Sequence, residues 1–178
     1  NRATSSGEFS LALGAFSNAA GTGSVSIGSG SEAFKTGDIA IGARARASGS
    51  ENNLGEHVVI GKDASSLGGY RNTILGGRAS ASFNVENSVA IGTGAKILGG
   101  NSTNAAIAIG VSSEASLVSS TAIGNTAQAL GSQAFAMGVN ADALGYGDVA
   151  IGANSIVDSG HVSLPSFGFG SVAIGPSS

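Results

Sequence analysis

A tetrapeptide that closes on glycine returns from one end of the chain to the other. Its plan is a large apolar residue, a small one, a second large one, then Gly: Leu11-Ala12-Leu13-Gly14, Val25-Ser26-Ile27-Gly28, Ile39-Ala40-Ile41-Gly42, Val89-Ala90-Ile91-Gly92, Ile107-Ala108-Ile109-Gly110. Thr121-Ala122-Ile123-Gly124, Phe135-Ala136-Met137-Gly138, Val149-Ala150-Ile151-Gly152 and Val172-Ala173-Ile174-Gly175 continue it. Val58-Val59-Ile60-Gly61 and Thr73-Ile74-Leu75-Gly76 are looser copies. Gly14, Gly28 and Gly42 are evenly spaced, and Gly110, Gly124, Gly138 and Gly152 keep the same interval, a period of fourteen. A short fixed period means one small unit stacked on itself, a solenoid, whose function sits on repeated surfaces and inserted loops.

Each unit can be read from its theme glycine. The residues three and one before it are large and apolar; those three and five after it are mostly small, as in Ala45 and Ala47 or Ala127 and Ala129. A second Gly often follows at seven, as in Gly21, Gly49, Gly68, Gly99, Gly131 and Gly145. Both halves alternate with the period of a strand, and Gly supplies corners that β-branched residues refuse. The expected fold is all-β, with two short strands per coil and coils stacked by strand pairing. Eleven such rungs make a rod of roughly 50 Å at ~4.8 Å per rung.

Placed inside, the two large aliphatics of a coil contribute about 3–6 kcal/mol. Ordering the whole repeat costs several times that at about 1–2 kcal/mol for each residue. Such a coil is too thin to stand alone. The small residue between the aliphatics then points the other way, and Ala12, Ala40, Ala90, Ala108, Ala122, Ala136, Ala150 and Ala173 form an uncharged stripe along the rod. Self-association along that stripe, around a symmetry axis, is the expectation.

Composition narrows the function. The chain has 178 residues with 30 Gly, no Cys and a net charge of −3. That charge does not suit nucleic-acid binding, and the absence of Cys excludes disulfides and thiolate metal sites. No apolar run reaches the ~18 residues of a membrane span. The sequence begins in mid-repeat and without Met, as expected of a piece of a longer protein. His57 and His161, the two histidines, lie in or beside insertions without a spaced metal partner, which suits a surface or cap role. Asp142 and Asp148 are placed on adjacent walls and give weak support for paired-acid catalysis. No serine stands out as a nucleophile, and Gly-x-Gly fragments such as Gly28-Ser29-Gly30 are repeat corners without a following helix.

The period breaks at three places, near 50–57, 99–104 and 158–170. These are expected to be surface loops. Leu164, Phe167 and Phe169 in the last are read as plugging the stack rather than meeting a ligand. Positions two and four after the theme glycine face outward and carry Arg44, Arg46, Arg78 and Lys96. They stand either as a basic patch for an acidic partner or, the favoured reading, as a solvated face that blocks edge aggregation.

Ser88-Val89-Ala90-Ile91-Gly92, Ser171-Val172-Ala173-Ile174-Gly175 and Ala127-x-Ala129-x-Gly131 resemble the head repeats of trimeric autotransporter adhesins of the Yersinia adhesin type. The resemblance covers nearly the whole chain. It implies that residues 1–178 are a single adhesin head fragment, a left-handed parallel β-roll with three chains packed about a threefold axis. It implies a virulence-associated homotrimer, at times a hemagglutinin, displayed on the outer membrane through a C-terminal anchor outside this sequence. It implies attachment to host cell-surface receptors or matrix proteins, without catalysis, cofactor or metal. The insertions depart from the plain head pattern, so no relative's ligand is carried over.

Two rivals stand beside it. A parallel β-helix acyltransferase needs a six-residue step and a histidine at a subunit groove, whereas the step here is seven and fourteen. An ice-binding solenoid needs a flat array of Thr, and Thr is scattered here.

Overall fold

The computed structural model describes residues 2–49, 55–99, 103–160 and 170–176. The three-residue strands, from Leu11–Leu13 to Val172–Ile174, form one parallel sheet of eleven strands. The two-residue strands, from Thr4–Ser5 to Ile156–Val157, form a second parallel sheet of eleven, and the chain alternates between the two. This is the expected parallel β-solenoid, with a basic coil of fourteen. Register is residue on residue: Ile107, Ala108 and Ile109 pair with Thr121, Ala122 and Ile123, and Glu114 and Ala115 with Gln128 and Ala129. The longer coils between Gly76 and Gly110 add a strand each, Val85–Glu86 pairing with Thr103–Asn104.

The two faces of the first sheet are the reverse of the expectation. Ala40, Ala90, Ala108, Ala122, Ala136 and Ala150 are fully buried within the single chain. Ala12 and Ala173, in the end coils, are half-buried. The small stripe is therefore the inside of the coil and not a seam for a neighbour. It meets the small residues at three and five after each glycine, such as Ala45 and Ala47 or Ala127 and Ala129, also buried. The reason is width. With only two or three residues per side, opposed strands come too close for large side chains to meet, so Ala and Ser fill the core. Larger residues enter it in the coils that exceed the basic length: Val59, Ile74, Val85 and Ile97 are fully buried there. The aliphatics before each glycine point outward and are half-buried or exposed.

The theme glycines close the corners in a single column. At Gly42 φ is +133°, and a Cβ there would lie 2.6 Å from the carbonyl carbon of Gly61 in the next coil. Two residues on, the chain takes a left-handed conformation, with φ of +57° at Arg44 and +54° at Asn140.

His57 is not on the surface but fully buried. Its Nδ1 accepts from the Asn72 amide at 3.2 Å and lies 3.3 Å from Ser66 Oγ, which places the ring proton on Nε2. Burial lowers its pKa to about 4, the Gly69 backbone opposing. Asp38 Oδ1 accepts from the His57 amide at 3.1 Å and Oδ2 from the Lys35 amide at 2.9 Å. Burial raises Asp38 to about 6 in spite of those bonds.

These two groups give opposite slopes over one pH window. His57 contributes stability that is complete above about 6.5 and lost as pH falls towards 4. Asp38, protonated in the fold below about 6, contributes stability gained as pH falls from 6 towards 3.8. Thermal melts of the intact chain should therefore change little from these groups between pH 6.5 and 4. Asp38→Asn, which keeps Oδ1 for the His57 amide, should lose about 2–3 kcal/mol over that range. A melting temperature of the variant that does not fall with pH would contradict this assignment.

Candidate binding surface

Two surfaces carry the chemistry. The first is the outer face of the three-residue strands. Ladders of Val, Ile, Leu, Phe and Met stack in register along it, broken by Thr73 and Thr121. In mid-rod, Ile39, Ile41, Val89, Ile91, Ile107, Ile109 and Ile123 are half-buried. At the ends exposure rises, to 61% at Leu13 and 76% at Ile174. A continuous apolar face of this length is a candidate association surface. The aliphatics that sequence reasoning placed inside the coil form this face, and the alanines it placed outside fill the core.

The second surface runs along the corner and the two-residue strands. Arg44 and Asp63 occupy the corner position of successive coils, and the guanidinium meets the carboxylate twice, Nε to Oδ1 at 2.5 Å and an Nη to Oδ2 at 3.0 Å. The bond to Arg44 holds the Asp63 carboxyl below its ordinary range, with Lys62 and Arg78 adding to it. Arg78 lies beside Lys62 and Asp63 around an open depression of about 400 Å³. Arg46 stands on the other ladder, 3.3 Å from Glu32 and 5.5 Å over the Phe34 ring. Lys96 is on that ladder too, between Ser80 and Glu114.

The four basic residues thus fall on two parallel lines, with Asp63 between Arg44 and Arg78 on one and Glu32 and Glu114 flanking Arg46 and Lys96 on the other, not in one patch. The structure pairs Arg44 with Arg78 on the corner column and Arg46 with Lys96 on the strand column. Exposed ion pairs of this kind contribute little stability. Arg71 and Glu56, 2.7 Å apart at the opposite corner, are a further such pair. They follow from the register of the lengthened coils, which the spacing of the theme alone did not reveal.

Asp142 is half-buried on the two-residue strands, where burial raises its pKa. Asp148 is buried in the turn beyond them. Burial pushes Asp148 up, but amides of Ser171, Ser159 and Gly145 outweigh it and the carboxyl lies below its ordinary value. It is a structural acceptor with its oxygens already taken. Among the described residues no group of three His, Asp or Glu side chains comes together as a metal site would require. His161, Leu164, Phe167 and Phe169, and residues 50–54 and 100–102, lie outside the described residues.

Comparison with known families adds one finding. Residues 5–31 and, in three overlapping stretches, 104–155 match the YadA head domain repeat. The matched stretches hold coils of the basic length, and the unmatched 32–103 holds most of the lengthened ones. No curated protein matches the chain. In-register coils, the recurrent Ala-Ile-Gly corner and these matches converge: residues 5–31 and 104–155 are similar to YadA head domain repeats, the repeats of trimeric autotransporter adhesin heads.

Proposed function

We propose that this chain is the head of a bacterial surface adhesin: a left-handed β-roll that trimerises and attaches to host cells or matrix proteins without catalysis. The observation that carries the reading is the run of YadA head repeats at both ends of the rod. The continuous apolar face supports the homotrimer, since three such sheets facing a common axis would cover what one chain leaves wet. The corner and the two-residue strands would then face outward. Arg44, Arg46, Arg78 and Lys96 would lie on that outward side and meet an acidic partner. The protein would sit at the cell surface, held to the outer membrane by a segment outside this sequence, and residues 1–178 would form one head with its insertions as loops.

Attachment would be multivalent. Three identical faces on one rigid rod raise the effective concentration of each after the first has bound. The test is binding of the purified chain to immobilised collagen, fibronectin and laminin and to host cells, with its solution mass measured alongside. The expected result is a trimer that binds at least one surface, with apparent affinity falling about a hundredfold when the trimer is dissociated. A monomer that binds as tightly, or no binding to any surface, would remove the reading. Arg78→Ala with Lys96→Ala should weaken attachment to an acidic ligand about tenfold without changing the mass; unchanged binding would leave the basic residues out of it.

A further inference from the structure

In each coil the amide four residues before the theme glycine lies at a corner, and its acceptor divides the coils into two classes. In coils closing at Gly14, Gly28, Gly42, Gly124, Gly138 and Gly152 it donates to the carbonyl three residues back, as Ser24 does to Gly21 and Ser120 to Leu117, both at 3.1 Å. The coils closing at Gly61, Gly76, Gly92, Gly110 and Gly175 are longer, with steps of 19, 15, 16, 18 and 23 between equivalent corner positions. In all five the amide turns to the side chain at the same position of the preceding coil. His57 N donates to Asp38 Oδ1 at 3.1 Å, Asn72 N to His57 Nδ1 at 3.2 Å, and Ser88 N to Asn72 Oδ1 at 3.1 Å. Ala106 N donates to Ser88 Oγ at 3.1 Å and Ser171 N to Asp148 Oδ1 at 2.9 Å.

The cause is geometric. An extra residue at the corner carries the local carbonyl away, and a buried amide without an acceptor is costly. Where the next coil keeps to the basic length, the position carries Ser or Ala, and the amide of that coil bonds to its local carbonyl instead, as Asp38 N does to Lys35 O beyond Ser24. Ser10 and Ser120 turn their hydroxyls back onto the carbonyls of Gly7 and Leu117, both at 2.7 Å, and Ala106 and Ala134 have no side-chain acceptor to offer.

We propose that this position is a clip: an acceptor side chain there lets the next coil depart from the basic length and fixes where the inserted segment leaves and rejoins the rod. Asp148 does this most fully. Its Oδ1 holds the Ser171 amide, and its Oδ2 holds the amides of Ser159 at 3.0 Å and Gly145 at 2.8 Å. The two ends of the extra segment in the longest coil therefore converge on one carboxylate. The inference concerns how loops are mounted and goes beyond the adhesin reading, since it holds whatever the rod binds.

The experiment is amide hydrogen exchange at Ser171 in a two-by-two set: the full chain and a chain lacking residues 161–169, each with Asp148 or Ala. The deletion restores the basic interval between Gly152 and Gly175 and puts Ser159 three before Ser171. In the full chain Asp148→Ala should speed exchange at Ser171 about ten- to a hundredfold. In the shortened chain the local carbonyl takes over, and the change should be under about threefold. Asp148→Asn, which keeps a carbonyl oxygen for Ser171, should recover most of the protection. Equal acceleration in both lengths, or none in the full chain, would overturn the clip, as would loss in Asp148→Asn as complete as in Asp148→Ala. Should the full-length Ala variant fail to fold, the shortened one decides: cooperative folding there upholds the clip, and failure there too refutes it.

Discussion

Gly42→Ala is expected to lower the stability of the rod by more than about 3 kcal/mol, a very large loss for a single added methyl group. Two terms sum. A residue with a Cβ held at φ +133° carries backbone strain of about 1–3 kcal/mol. The new methyl would also lie 2.6 Å from both the carbonyl carbon and oxygen of Gly61, and backbone in the next coil cannot move without breaking the stack. For a chain of this size the loss is a fall in melting temperature of roughly 6–12 °C. Two controls separate the terms. Gly23, at φ +64°, has open space where its Cβ would stand, so Gly23→Ala should cost only about 1–2 kcal/mol. At Gly175 a Cβ also meets nothing within 4 Å, so Gly175→Ala reports strain without contact. Melting curves that ranked Gly42→Ala level with Gly23→Ala would show that the column is not what limits the stack.

Ile123→Asp and Ala122→Asp, neighbours in one strand, should fail in different ways. Ile123 points outward and is half-buried; its replacement leaves the coil intact and places a carboxylate on the apolar face. In the proposed trimer, three such carboxylates gathered at one axis would cost more than about 3 kcal/mol per chain, enough to convert the assembly to folded monomers. Ala122 is fully buried, and a carboxylate there has neither room nor partner, so the coil itself should open. Sedimentation paired with circular dichroism distinguishes the outcomes. Ile123→Asp should keep its β spectrum and lose mass, whereas Ala122→Asp should lose the spectrum. An Ile123→Asp chain that kept its assembled mass would show that copies associate elsewhere.

This pair also marks where sequence reading reached its limit. The theme glycine, the two strands per coil and the outward corners at Arg44 and Arg78 were all legible, because each follows from spacing. Alternation in Ile107-Ala108-Ile109 shows that a strand has two faces but not which one is inside. The habit of placing large aliphatics in the core misassigned it. The deciding signal was present: the residues that would face Ala108 from the other strand, Ser113 and Ala115, are small too, and a core needs agreement from both walls. The clips were less accessible. Asp38, His57, Asn72, Ser88 and Asp148 stand in phase ahead of every irregular coil, yet they share no chemistry beyond a lone pair. Their common role follows only from the bonds they accept. The charged ladders were legible residue by residue but not as pairs, since lengthened coils decide which side chains become neighbours.

The left-handed corner two residues after a theme glycine carries Phe16, Gly30, Arg44, Asp63, Arg78, Gly94, Ser112, Thr126, Asn140 and Asn154 in turn. Except for Gly30, Asp63 and Gly94, which are half-buried, all are exposed, and the backbone conformation is held by glycine and by pairing above and below. Almost any polar side chain is therefore tolerated at a corner, and changing one leaves its neighbours in place. The rod's edge can be rewritten one step at a time, diversifying what it shows to the outside while the spine beneath is unaltered.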